Sequence, residues 1–229
     1  MVMLFDLFRW LHIAAGFLAL FTFWIPMVTV KGGKAHNRSG WFYVWCMGTV
    51  AVSALYMGVY RIFLDPGSDA GRIAFSWFLI FISVLSSASA WYGLRVLRVK
   101  GRKSAHRGLF DLGFSLLLLL SGIAVSLYGF RIEFPLLQYF PFVGILLGSQ
   151  QLYYWLNVPK TRKHWIIEHI GAMIGCCIAT VTAFTVFGAP RLLGVDSVSI
   201  LLWFMPTIVM VPLTIGFSRY YRKKFNAAA

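Results

Sequence analysis

Seven stretches of this chain are long and apolar enough to cross a lipid bilayer, and only short connectors separate them. They cover residues 7–30, 40–64, 73–97, 109–130, 135–156, 165–188 and 198–217. A span needs about 20 mostly apolar residues. In hydrocarbon, a helix satisfies its own backbone hydrogen bonds. The sequence therefore predicts an all-α integral membrane protein of seven transmembrane helices, forming a single transmembrane domain over residues 1–229. Composition agrees: 12% of residues are charged and mean hydropathy is +0.76, whereas soluble domains carry roughly 25% charged residues. The first run lacks a basic leader and an Ala-x-Ala site, so it reads as a span that is retained. Pro26, Pro141, Pro206 and Pro212 fall within spans, where proline kinks helices.

The connectors set the orientation. Sixteen of the 21 Lys and Arg residues lie in the first, third and fifth connectors and the C-terminal tail. The other five are Arg9, Arg61, Arg72, Arg131 and Arg191. Five acids, Asp6, Asp65, Asp69, Glu133 and Asp196, share that cation-poor side. By the positive-inside rule the N-terminus lies outside and the C-terminus in the cytoplasm, as in a bacterial inner-membrane protein. Topology also accounts for the net charge of +14 without nucleic acid as a partner. The partners expected are the bilayer itself and anionic headgroups at the cytoplasmic face. Oligomeric state is left open. Cys46, Cys176 and Cys177 lie in apolar segments without a CxxC pair, and read as buried thiols.

The three cation-rich connectors resemble one another: KGGKAHNRSGW, KGRKSAHRGLF and KTRKHWIIEHIG. Each carries Lys-x-x-Lys, a histidine, then a glycine. The positive-inside rule selects the cations but not the histidines. The pattern predicts three helix hairpins of one design, plus a seventh helix.

Four of the five histidines, His36, His106, His164 and His169, sit at this face. So do the only two acids expected at membrane depth there, Asp111 and Glu168. Ionisable groups at such depth are costly and usually functional. His164 and Glu168, four apart, share a helix face. If the second, fourth and sixth helices are neighbours, His36, His106, Asp111, Glu168 and His169 form one cluster, ringed by Arg38 and Arg107.

Three readings follow. The first is haem b, ligated by His106 and His169, with His36 or Met173 as alternative ligands and Arg38 and Arg107 on the propionates. The second is a zinc hydrolase. His36, His106, His164 and His169 would then supply metal ligands, and Asp111 or Glu168 the catalytic base. Clear motifs of the seven-helix alkaline ceramidase and progestin-receptor type are missing. The third is a non-catalytic scaffold or assembly factor whose histidines cap helices and touch lipid phosphates. Whether the chain is an enzyme stays open. His12 stands apart near the outer end of the first span, beside Asp6 and Arg9.

Two segments carry a family likeness. LHIAAGFLALFTFWIPMVTVKGGKAHNRSGWFYVW and HIGAMIGCCIATVTAF resemble the marked segments of a bacterial family of small, uncharacterised multi-pass membrane proteins, a domain of unknown function. The resemblance implies that His12, His36, His169 and Met173 are the positions to test. It carries no activity.

Overall fold

A computed structural model describes residues 2–160, 163–194 and 200–227. Among these there is no strand. The helices are α1 (Val2–Thr22), α2 (Trp24–Val28), α3 (Lys34–Phe63), α4 (Ala70–Arg95), α5 (Leu109–Arg131), α6 (Pro135–Tyr139), α7 (Phe142–Leu156), α8 (His164–Ala183), α9 (Ala189–Leu193) and α10 (Ile200–Ala227). A π-helical turn, Phe184–Gly188, joins α8 to α9. Six helical stretches are long and apolar enough to cross a membrane: Met3–Val28, Lys34–Phe63, Ala70–Arg95, Leu109–Arg131, His164–Gly188 and Leu202–Phe225. The chain is thus an all-helical protein of multi-pass membrane type. Arg162 and Asp196 of the charge pattern, and residues 198–199 of the seventh expected span, lie outside the described residues.

The fifth expected span, 135–156, is not one helix. It is interrupted at Phe140–Pro141 between α6 and α7. Pro141 has no N–H to give Leu137, and its ring crowds that carbonyl. The flanking bonds survive: Phe140 N–H donates to Leu136 O at 3.2 Å, and Ile145 N–H to Pro141 O at 3.1 Å. Pro26 acts similarly, with α1 and α2 interrupted at Phe23. Pro206 and Pro212 do not interrupt α10.

The chain divides into two compact units. The first is Met1–Ser87 with Leu120–Ile145, and the second Ala88–Leu119 with Leu146–Ala229. In the first, α1 packs antiparallel on α3. Phe5 meets Tyr60 (ring centroids 5.1 Å apart), Phe8 stacks on Tyr56 (4.2 Å), and His12 meets Ser53 (3.0 Å). Ala15, Ala19, Ala51 and Ala54 are buried. Small residues let helix backbones approach when lipid supplies no hydrophobic drive. α4 packs closely on α3 at Gly58. A Cβ added at Gly58 would stand 2.8 Å from Ile80 Cγ1.

The second unit is built around a buried aromatic core of Tyr92, Tyr154 and Trp155 with Val96. Tyr92 comes from α4 and Tyr154 and Trp155 from α7. Leu112, Trp165 and Ala172 pack onto it from α5 and α8, and Val99 from the connector between α4 and α5. α8 crosses α4 closely at Gly93, where an added Cβ would stand 2.9 Å from Met173 Sδ.

Candidate functional site

Asp111, in the first turn of α5, is the most deeply buried charge described, 1% exposed. A first-turn acid suits the positive end of a helix, but this carboxylate is held chiefly by side chains. Oδ1 accepts from Trp91 Nε1 and from Arg95 Nε, both at 2.8 Å. Oδ2 accepts from Arg95 Nη2 at 2.8 Å and from His106 Nε2 at 2.7 Å. Trp91 and Arg95 are four apart on α4 and so share one face. The two-pronged arginine is the geometry that best compensates a desolvated carboxylate. The donor set engages Asp111 on both oxygens. The ring of Trp91 stacks on Phe114 with centroids 5.2 Å apart.

The connector between α4 and α5 terminates α7. The last carbonyls of a helix have no intrahelical donors. Arg102 Nη2 donates to Tyr154 O at 2.7 Å and Nη1 to Trp155 O at 2.9 Å. The His106 backbone N–H also donates to Trp155 O, at 2.8 Å. The guanidinium carbon of Arg102 lies 4.5 Å from the Tyr154 ring centroid, a cation–π contact. The His106 ring lies 4.8 Å from that of Trp155.

α8 is fastened to α4 and α7 by three further bonds. Tyr92 OH donates to Glu168 Oε2 at 2.6 Å. His169 Nδ1 donates to Gly93 O at 2.7 Å. Tyr154 OH and His164 Nδ1 share a bond of 2.7 Å. Residues 168 and 169 therefore meet residues 92 and 93, two successive positions of α4. The carbonyl of Gly93 can only accept, so Nδ1 of His169 carries the proton and the lone pair of the neutral ring lies on Nε2. His12 and His36, in the first unit, show the same arrangement. Their Nδ1 atoms lie 3.1 Å from Val50 O and 3.0 Å from Pro26 O.

The expected residues thus fall into distinct groups. His106 bonds to Asp111. Glu168, His169 and His164 bond to the aromatic core and to α4, and His164 is buried. Met173 packs against Gly93. His36 and Arg38 belong to the first unit, on α3. Arg38 and Arg107 are exposed. The cations that carry the second unit's polar bonds are instead Arg95 and Arg102, together with Trp91, Tyr92, Tyr154 and Trp155. The i,i+4 pair Trp91 and Arg95 was a readable signal for a buried acid partner. Among the described residues, no three His, Cys, Asp or Glu side chains come together as a metal-holding set.

The three look-alike connectors take different local structures. His36 is the third residue of α3, His106 precedes α5, and His169 is the sixth residue of α8. Their glycines differ too. A Cβ at Gly108 would stand 2.6 Å from His106 Nε2 and 3.1 Å from Asp111 Oδ2, whereas Gly40 and Gly171 have nothing within 4 Å. Comparison with protein-family models, curated proteins and solved structures found no match to this chain.

Proposed function

We propose that this chain is a bacterial inner-membrane protein, N-terminus outside, that binds haem b through His169 as a redox or haem-handling protein. The orientation is supported by the sixteen-to-five division of cations between alternate connectors. The haem reading is carried by one observation, the Nδ1–H bond of His169 to Gly93 O. Imidazoles that ligate metals typically donate their other ring N–H to a carbonyl or carboxylate, which fixes the tautomer and the ring plane. His169 fits that donor pattern.

His106 gives its Nε2 to Asp111; in this reading it positions the carboxylate. Met173 lies one turn beyond His169 on the same helix and packs against Gly93. Haem bound at His169 supplies one-electron chemistry. The chain's own part is to hold the imidazole against α4 in one tautomer, next to the Tyr92–Glu168 bond.

The test is haemin titration of the full-length protein in detergent, followed by its Soret absorption. A saturable band is expected, absent in His169→Ala and retained in His106→Gln, with both variants monodisperse. No haemin-dependent band, or a band unchanged in His169→Ala, overturns the reading.

A further inference from the structure

The five histidines of this chain do not present the same nitrogen. His12, His36, His164 and His169 all bond through Nδ1. His106 alone bonds through Nε2, to Asp111 Oδ2 at 2.7 Å. It lies in the connector between α4 and α5, outside the helices, and its ring is held on several sides. Its backbone N–H donates to Trp155 O at 2.8 Å, and the ring lies 4.8 Å from that of Trp155. The absence of a side chain at Gly108 leaves room for Nε2. The orienting carboxylate is itself fixed by Trp91 and Arg95. A neutral imidazole that donates through one nitrogen keeps a lone pair on the other. Here that nitrogen is Nδ1, which makes no hydrogen bond to a described residue. The His106 side chain is 20% exposed, above an Asp111 that is 1% exposed. An imidazole with a fixed tautomer, a buried carboxylate behind it and an open nitrogen in front is prepared to attack an electrophile.

Charge selects the electrophile. Residues 96–108 hold Arg98, Lys100, Arg102, Lys103 and Arg107 and no Asp or Glu, and Lys103 and Arg107, close to His106 in sequence, are exposed. Such a connector draws small anions to itself. We infer that His106 Nδ1 accepts a phosphoryl group from a small acyl phosphate. The Nδ1 lone pair attacks phosphorus, the bond from phosphorus to the acyl oxygen breaks, and the carboxylate leaves with that electron pair. No proton is released, because Nδ1 carries none. The ring becomes a phosphorylated imidazolium whose Nε2–H stays on Asp111, so the carboxylate meets the positive charge as it develops, as the acid of a catalytic triad does. Haem plays no part in this step, and the orientation proposed above matters only for the supply of donor in the cell.

The test uses the full-length protein in detergent, incubated with acetyl phosphate and digested in alkali-stable conditions. Mass spectrometry locates the label, and the two phosphohistidine isomers are separated and identified. The expected product is the Nδ1-linked isomer on His106, lost in a monodisperse His106→Gln. The other four histidines have Nδ1 engaged, so adventitious labelling of them would give the Nε2-linked isomer instead. Gly108→Ala, whose new methyl displaces the ring from Asp111, should lose this selectivity and yield both isomers. No label, label that persists in His106→Gln, or an Nε2-linked product on His106 of the parent would overturn the site. Nδ1-linked label formed in Gly108→Ala as selectively and as fast as in the parent would overturn the part assigned to Asp111.

Discussion

Substituting Gly108 by alanine tests whether the His106–Asp111 bond is a fixed part of the fold. The new methyl would stand 2.6 Å from His106 Nε2 and 3.1 Å from Asp111 Oδ2. Neither neighbour can yield easily. Asp111 is also clamped by Arg95 and Trp91, and the His106 backbone is tied to Trp155 O. The imidazole must therefore swing off the carboxylate. A hydrogen bond to a charged group contributes about 1.5–3 kcal/mol. For a chain of this size that corresponds to a fall of about 3–12 °C in thermal midpoint. Gly40→Ala and Gly171→Ala, at the matching positions of the look-alike connectors, meet nothing within 4 Å. Both lie inside helices, where alanine is favoured over glycine by about 0.5–1 kcal/mol. The three substitutions should thus differ in sign, read as midpoints of the detergent-solubilised protein under one condition. If Gly108→Ala is as stable as Gly40→Ala, the packing argument around Asp111 fails.

Asp111→Ala should cost about 3 kcal/mol, the lower end of the range for breaking a buried pair, because the Arg95 side chain is 28% exposed and can reach water. Chemical unfolding in mixed micelles measures it, and a change below about 1 kcal/mol would count against a desolvated ion pair. Tyr92→Phe and Glu168→Gln should couple in a double-mutant cycle by more than about 0.5 kcal/mol, and additive effects would deny the 2.6 Å bond. For orientation, Gly67→Cys should react with an impermeant thiol reagent on intact cells and Lys103→Cys should not. The reverse pattern would invert the topology.

The six long helices were legible because bilayer thickness sets a length and hydropathy reads it directly. In the fifth expected span Pro141 was legible as a kink, but its division of 135–156 into α6 and α7 was not, since Pro206 and Pro212 leave α10 unbroken and hydropathy does not register a steric effect. Asp111, Glu168 and His169 were legible as costly groups at depth, but their partners were not. Arg95 and Arg102 had been absorbed into the charge count that sets orientation. Counting says how many cations a connector holds, not which of them turn inward. Arg102 acts on a carbonyl 53 residues away and Tyr92 on a carboxylate 76 residues away. Pairings across such separations exist only once helices pack. The likeness of the three connectors was real in letters and did not extend to helix position, since a shared Lys-x-x-Lys pattern does not fix where the next helix starts.

The Arg102 cap has a bearing on depth. Most membrane helices settle by matching their apolar length to the bilayer, tilting or thinning it when the two disagree. α7, only 15 residues long, is too short to be set that way. Its last turn is instead fastened by a loop that precedes it in the chain, through Arg102 and the His106 N–H. The connector acts as a stop that fixes how far α7 travels, so its depth should follow the length of that loop more closely than the thickness of the surrounding lipid.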